Sequence, residues 1–196
     1  MKKGLLGCGI VLIVALVVLG LAVAGSYNRL VKLEEGVRSA WGQVENVYQR
    51  RADLVPNLVE TVKGAAAFER DTFTAVTEAR ARVGQVSIGN VPNGEQMQRF
   101  QSAQDGLSSA LSRLLVVVEK YPDLKATQNF QELQAQLEGT ENRIAVERRR
   151  FNEAAQAFNT ARRSFPTVLV AGILGFVEKP YFQAAPGSDQ APVVKF

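Results

Sequence analysis

The sequence predicts an all-α protein: a single N-terminal transmembrane helix followed by an antiparallel, up-down bundle of four long helices. Three observations carry that prediction. Residues 4–25 form an uncharged apolar run. Beyond it, apolar residues recur every three or four positions, the period of one helical face. Two short stretches, residues 53–57 and 121–126, combine proline with aspartate in the manner of helix starts.

The first element is GLLGCGIVLIVALVVLGLAVAG, 22 residues without a charge, preceded by Lys2 and Lys3. As a helix it reaches ~33 Å at ~1.5 Å per residue, enough for a hydrocarbon core of ~30 Å. It exceeds the ~7–15 apolar residues of a secretory signal, so an uncleaved signal anchor (residues 1–25) is the favoured reading. Ala22-Val23-Ala24 has the small-x-small form of a cleavage site and keeps a cleaved signal peptide open. Leu5-Leu6-Gly7-Cys8 looks like a lipobox, but the apolar run follows the cysteine instead of preceding it. Lys2, Lys3 and the terminal amine lie on one flank and Arg29, Lys32 and Arg38 on the other, leaning towards an extracytoplasmic body.

A bundle domain is expected over 26–176. Leu30, Leu33, Val37, Ala40, Val44, Val47 and Leu54 mark the first helix, continuous with the anchor except for a candidate joint at Gly25-Ser26. Pro56 lacks an N–H and clashes with the preceding turn, and it drives Val55 towards extended geometry. A tight turn is therefore predicted there. Asp53 would accept from exposed amides, and Pro56 would open a second helix carrying Leu58, Val62, Ala65, Ala66, Phe73, Val76, Ala79 and Val83. Gly84 and SIGNVPNGE (87–95) end it. The third helix carries Phe100, Leu107, Leu111, Leu114 and Val118 and stops at Tyr121-Pro122. Pro122 and Asp123 open the fourth, where Phe130, Leu137, Ile144, Phe151 and Phe158 recur every seven residues.

Up-down topology puts both proline turns at the end far from the membrane. Asp53, Pro56, Asn57, Pro122, Asp123 and Lys125 are thus the candidate partner-binding tip. The fourth helix returns to the lipid surface, where FPTVLVAGILGF (165–176), too short to span, either packs on the bundle base or lies in the interface. Residues 177–196, rich in Pro, Gly, Ala and polar types, are expected to form a flexible tail.

Composition excludes much chemistry. There is no histidine, and the single cysteine is Cys8 inside the apolar run. Cys/His zinc sites, histidine triads and Glu-x-x-His di-iron pairs are ruled out, and no loop has the ligand spacing of a calcium hand. No catalytic residue, metal or cofactor is assigned; a carboxylate set of Glu69, Glu119 and Glu141 is the remote enzymatic alternative. Removing Lys2 and Lys3 from the 23 basic residues leaves 21 against 19 acidic ones, so the body is near neutral and nucleic acid is not an expected partner. The expected partners are the membrane, a protein of unknown identity, and a second copy assembling through the heptads or Gly20-x-x-x-Ala24. Asp53, Glu69, Arg80, Glu119, Glu141, Asn142 and Arg148 flank the apolar stripes and read best as pairs that fix helix register.

In order, YNRLVKLEEGVRSAW (27–41), RRADLVPNLVETVKG (50–64), TEARARV (77–83), EKYPDLKATQNFQELQAQLEGTENRIAVERRRFN (119–152) and FPTVLVAGILGFVEKPYF (165–182) resemble the LemA family of bacterial membrane proteins. The resemblance implies an N-terminal transmembrane helix, a long-helix bundle and envelope-associated, scaffold-like roles, with no known catalysis. Where the family often shows Tyr-Ala-x-His-Glu, this chain has Ala65-Ala66-Ala67-Phe68-Glu69. The family's repeated Tyr-Asn appears as Phe151-Asn152 and Phe158-Asn159, which favours a packing role for those rings.

Overall fold

The computed structural model describes residues 2–64, 69–86 and 89–184, with side chains from Ile10 onward. Its helices are α1 (Lys2–Lys63), α2 (Arg70–Gln85), α3 (Gly94–Val118), α4 (Pro122–Lys125), α5 (Gln128–Arg163) and α6 (Thr167–Ile173). No strand occurs among the described residues, and the all-α class holds.

The first helix does not turn at Pro56. Α1 runs unbroken for 62 residues, roughly 93 Å at ~1.5 Å each, through both Gly25-Ser26 and Pro56. Its buried positions explain why. Val44, Tyr48, Arg51, Val55, Leu58 and Val62 are buried at intervals of four, three, four, three and four, with no slip at the proline. Breaking the helix there would expose Leu58 and Val62, which join Val55 in one core. Pro56 still leaves the Ala52 carbonyl without its helical donor. Arg80 of α2 supplies one: its Nε donates to the Ala52 oxygen at 2.9 Å. The predicted turn is thus corrected by a donor 28 residues away, and Leu58 and Val62 belong to α1 rather than α2. Ala65 and Ala66 lie outside the described residues.

Α2 runs back along α1, burying Phe73, Val76, Ala79 and Val83. Α3 begins with a capping box: Asn93 Oδ1 accepts from the Gln96 amide and Gln96 Oε1 from the Asn93 amide, both at 2.9 Å. Pro122 sits in the first turn of α4, as predicted for a helix start, but that helix is one turn long, and the long fourth helix begins after Thr127. Phe130, Leu137, Ile144, Phe151 and Phe158 of α5 are all buried.

The core is in two parts. Away from the apolar run, α1, α2, α3 and α5 enclose Val55 to Val62, Phe73 to Val83, Leu107 to Val118, Leu124, Phe130 and Leu137. Nearer the run, Leu30, Val37, Trp41, Val44 and Tyr48 pack on Met97, Phe100, Ile144, Phe151, Phe158, Ala171 and Phe182. With 16 residues, α2 returns only part of the way. The C-terminal segment takes its place.

The expected tail, 177–196, is therefore not flexible as far as Ala184: residues 177–184 run as an extended strap along α5. Asn159 clamps Lys179, its Nδ2 donating to the Lys179 carbonyl at 2.8 Å and its Oδ1 accepting from the amide at 2.9 Å. One heptad earlier, Asn152 clamps Phe182 in the same way, at 3.1 and 2.8 Å. The Phe182 ring then enters the core beside Trp41, Phe100 and Phe151. Lys179 Nζ reaches Glu34 and sits 5.1 Å from the Phe158 ring centre. The remainder of the expected tail, 185–196, lies outside the described residues.

At the opposite extreme of exposure, every residue from Ile10 to Gly25 is exposed, and burial begins abruptly at Ser26. This end of α1 is long and apolar enough to cross a membrane.

Candidate functional site

Helix periodicity puts Arg51 on the inward stripe, so the bundle must solvate a guanidinium where the two cores meet. Arg51 is 1% exposed. Its Nη1 donates to Ser108 Oγ at 2.9 Å and to Glu141 Oε1 at 2.7 Å. Nη2 donates to the Gln104 carbonyl at 3.3 Å and also to the Gln104 side-chain oxygen. The guanidinium lies 5.0 Å from the Tyr48 ring centre. Only Nε has no hydrogen bond. The pair is asymmetric, since the Glu141 side chain is 44% exposed. The carboxylate keeps much of its water, which limits the desolvation cost that burdens a fully buried pair.

Beside this layer lies a cavity of about 170 Å³, lined by Glu45, Tyr48, Gln49, Arg80, Phe100 and Gln104 among others. Burial raises the Glu45 carboxyl pKa, and a hydrogen bond from Trp41 partly offsets this. Burial likewise raises the Tyr48 phenol, opposed by Arg148 and Arg51 and reinforced by Glu141 and Asp105. These groups offer hydrogen bonds of both polarities. No set of three His, Cys, Asp or Glu that could hold a metal occurs among the described residues.

The tip residues divide into two groups. Asp53, Pro56 and Asn57 lie on the exposed side of α1, two turns short of its end. Asp53 is not a cap; it accepts from Gln49 Nε2 at 2.8 Å within the helix. The Asn57 carbonyl accepts from Thr61 Oγ1 at 2.8 Å. Pro122, Asp123 and Lys125 form the α3–α5 corner, where Lys125 Nζ meets both Glu119 oxygens at 2.8 and 2.6 Å. The Arg51–Glu141 pair sets the antiparallel register of α1 and α5, so Pro56 stands level with residue 136, ~12 Å down the shaft from the start of α5. Both groups flank the same distal core, one on its side and the other at its end.

The flanking polar residues do not form one cluster either. Glu141 pairs with Arg51, Arg80 serves the Ala52 carbonyl, and Glu119 pairs with Lys125. Arg148 Nη2 donates to the Gln183 carbonyl at 3.0 Å, with its guanidinium 4.8 Å from the Phe182 ring centre. Asn142 is exposed, and Glu69 precedes α2 without capping it. Glu119 and Glu141 are each held by a different cation, and Glu69, Glu119 and Glu141 form no metal-holding group among the described residues. Sequence reasoning missed Arg51, Asn152 and Asn159. The first was legible as the only charged residue in the stripe from Val44 to Val62; the other two recur at heptad spacing beside buried phenylalanines.

The LemA family model matches residues 40–196. Magnetosome protein MamQ 2 of Paramagnetospirillum magneticum is 28% identical over 187 residues, covering 86% of this chain and 68% of that protein. MamQ of Magnetospirillum gryphiswaldense is 27% identical with the same coverage. Protein LemA of Metamycoplasma hominis is 23% identical over 161 residues, covering 82% of this chain and 70% of that protein.

Proposed function

The chain belongs to the LemA family, and from that premise we propose that it is a membrane-anchored helical post, an envelope scaffold that presents its distal end to a protein partner. One observation carries the reading. The exposed apolar run from Ile10 to Gly25 and the buried stripe as far as Val62 lie on a single uninterrupted helix. A span joined to a bundle without a loop transmits its orientation to the far end, as a docking post requires. The distal surface exposes Asp53, Asn57 and Asp123.

Photocrosslinkers at Asn57 and Lys125 in the intact membrane, with mass spectrometry of the products, test this. The expectation is a common protein partner captured from both positions, and, in the chain without crosslinkers, loss of that partner's co-purification on combining Asn57→Ala with Lys125→Ala at unchanged thermal stability. Capture of lipid alone, or a partner unaffected by the substitutions, would refute the docking role.

A further inference from the structure

We propose that α6 is a second membrane contact: its outer face beds in the interfacial layer of the bilayer that α1 crosses. This rests on the anchored reading of α1. Α6 turns Thr167, Val170 and Ala171 inward, at the spacing of one helical face. Its other positions are apolar and bare: Leu169 is 60% and Ile173 83% exposed, with Val168 beside them. Phe165 and Leu174 extend the patch at either end, 82% and 52% exposed. No charged residue occurs from Ser164 to Phe176. Water is a poor solvent for such a continuous surface, and soluble monomers rarely leave one open.

Its height identifies the occupant. Ala171 shares a core with Leu30, and Phe176 stacks edge-on against Tyr27 at 6.0 Å. Leu30 lies ~8 Å along the helix axis beyond Gly25, where the exposed apolar run ends. The headgroup layer adds ~5–8 Å on each side of the hydrocarbon core, so α6 lies at its level. Helices with one apolar face bury it ~5–10 Å into that layer. Arg29 and Lys32 are exposed in the same two turns of α1, supplying cations for anionic headgroups. A lone span leaves a post free to tilt; a foot on one side fixes both tilt and roll.

The test uses the full chain with Cys8→Ala and Ile173→Cys, labelled with the fluorophore NBD and reconstituted in phosphatidylcholine–phosphatidylglycerol vesicles. Asn142→Cys, exposed on the shaft, is the reference. The label at 173 should emit to the blue of the reference, resist aqueous dithionite and lose intensity to nitroxide lipids, more with shallow than with deep nitroxides. Adding Leu169→Glu should shift its emission back towards the reference. A water-like label at 173 in chains that float with the vesicles would overturn the foot while leaving the anchor intact. Protection without lipid quenching, accompanied by crosslinks to a second copy or another protein, would also overturn it. Chains that fail to float would overturn both readings.

Discussion

A double-mutant cycle at Pro56 and Arg80 tests the account of the unbroken first helix. Proline inside a helix costs ~3 kcal/mol relative to alanine. Pro56 is exposed, so Pro56→Ala empties no cavity and can return at most that amount. Part has already been recovered, because Arg80 Nε donates to the Ala52 carbonyl that the proline leaves orphaned. A hydrogen bond from a charged donor contributes ~1.5–3 kcal/mol, and the exposure of Arg80 points to the lower end. Pro56→Ala should therefore stabilise by about 1.5 kcal/mol. Arg80→Ala should destabilise the parent by about 1.5 kcal/mol, and the Pro56→Ala background by less than ~0.5, because the restored amide then serves the carbonyl. The measurement is reversible denaturation of the full chain in detergent, followed by Trp41 fluorescence, since Trp41 lies in the core. A coupling below ~0.3 kcal/mol would refute the reasoning, because additivity of that quality belongs to independent sites. Arg80 would then act through its charge or its packing alone.

Two further outcomes follow from the same structure. Asn159→Ala removes both hydrogen bonds to Lys179 at a fully buried site, leaving a buried N–H and a buried C=O at ~1–3 kcal/mol each; hydrogen exchange at the Lys179 and Phe182 amides should accelerate together, and unchanged protection would show that the clamp does not hold the strap. Glu45 has a folded pKa raised by burial, so the penalty for its charge is absent below the unfolded pKa and grows as pH rises through the folded one. Glu45→Gln, which keeps an acceptor for Trp41, should match the parent in acid and exceed it in stability at neutral pH; equal stability at both pH values would contradict that sign.

Much of the inner face was legible because periodicity is a local property. Phe130, Leu137, Ile144, Phe151 and Phe158 of α5 can be found by counting sevens, and all five are buried. The corner at Pro122 could likewise be found from turn chemistry, although a single turn of helix intervenes before α5. The same reasoning failed at Pro56 because proline was weighed without its register. Tyr48, Arg51 and Val55 carry the stripe straight into Leu58 and Val62, and a buried stripe of five successive positions outweighs one missing N–H. The strap was misread for a related cause. Its composition buries little by itself, but two asparagines on α5 satisfy the backbone that its own sequence cannot.

The sequence by itself determined the helical class, the lipid-length apolar run, the inward faces and the absence of histidine and a second cysteine, because each depends on residue type and spacing along one segment. Only the tertiary structure decided that α1 continues past its proline, that Arg51 divides the core in two, and that the C-terminal segment completes the half of the bundle that α2 leaves open. The physical reason is hydrogen-bond completion at long range: Ala52 needs Arg80, Arg51 needs Gln104 and Glu141, and Lys179 needs Asn159. Each partner stands on a different element, where no local pattern announces it.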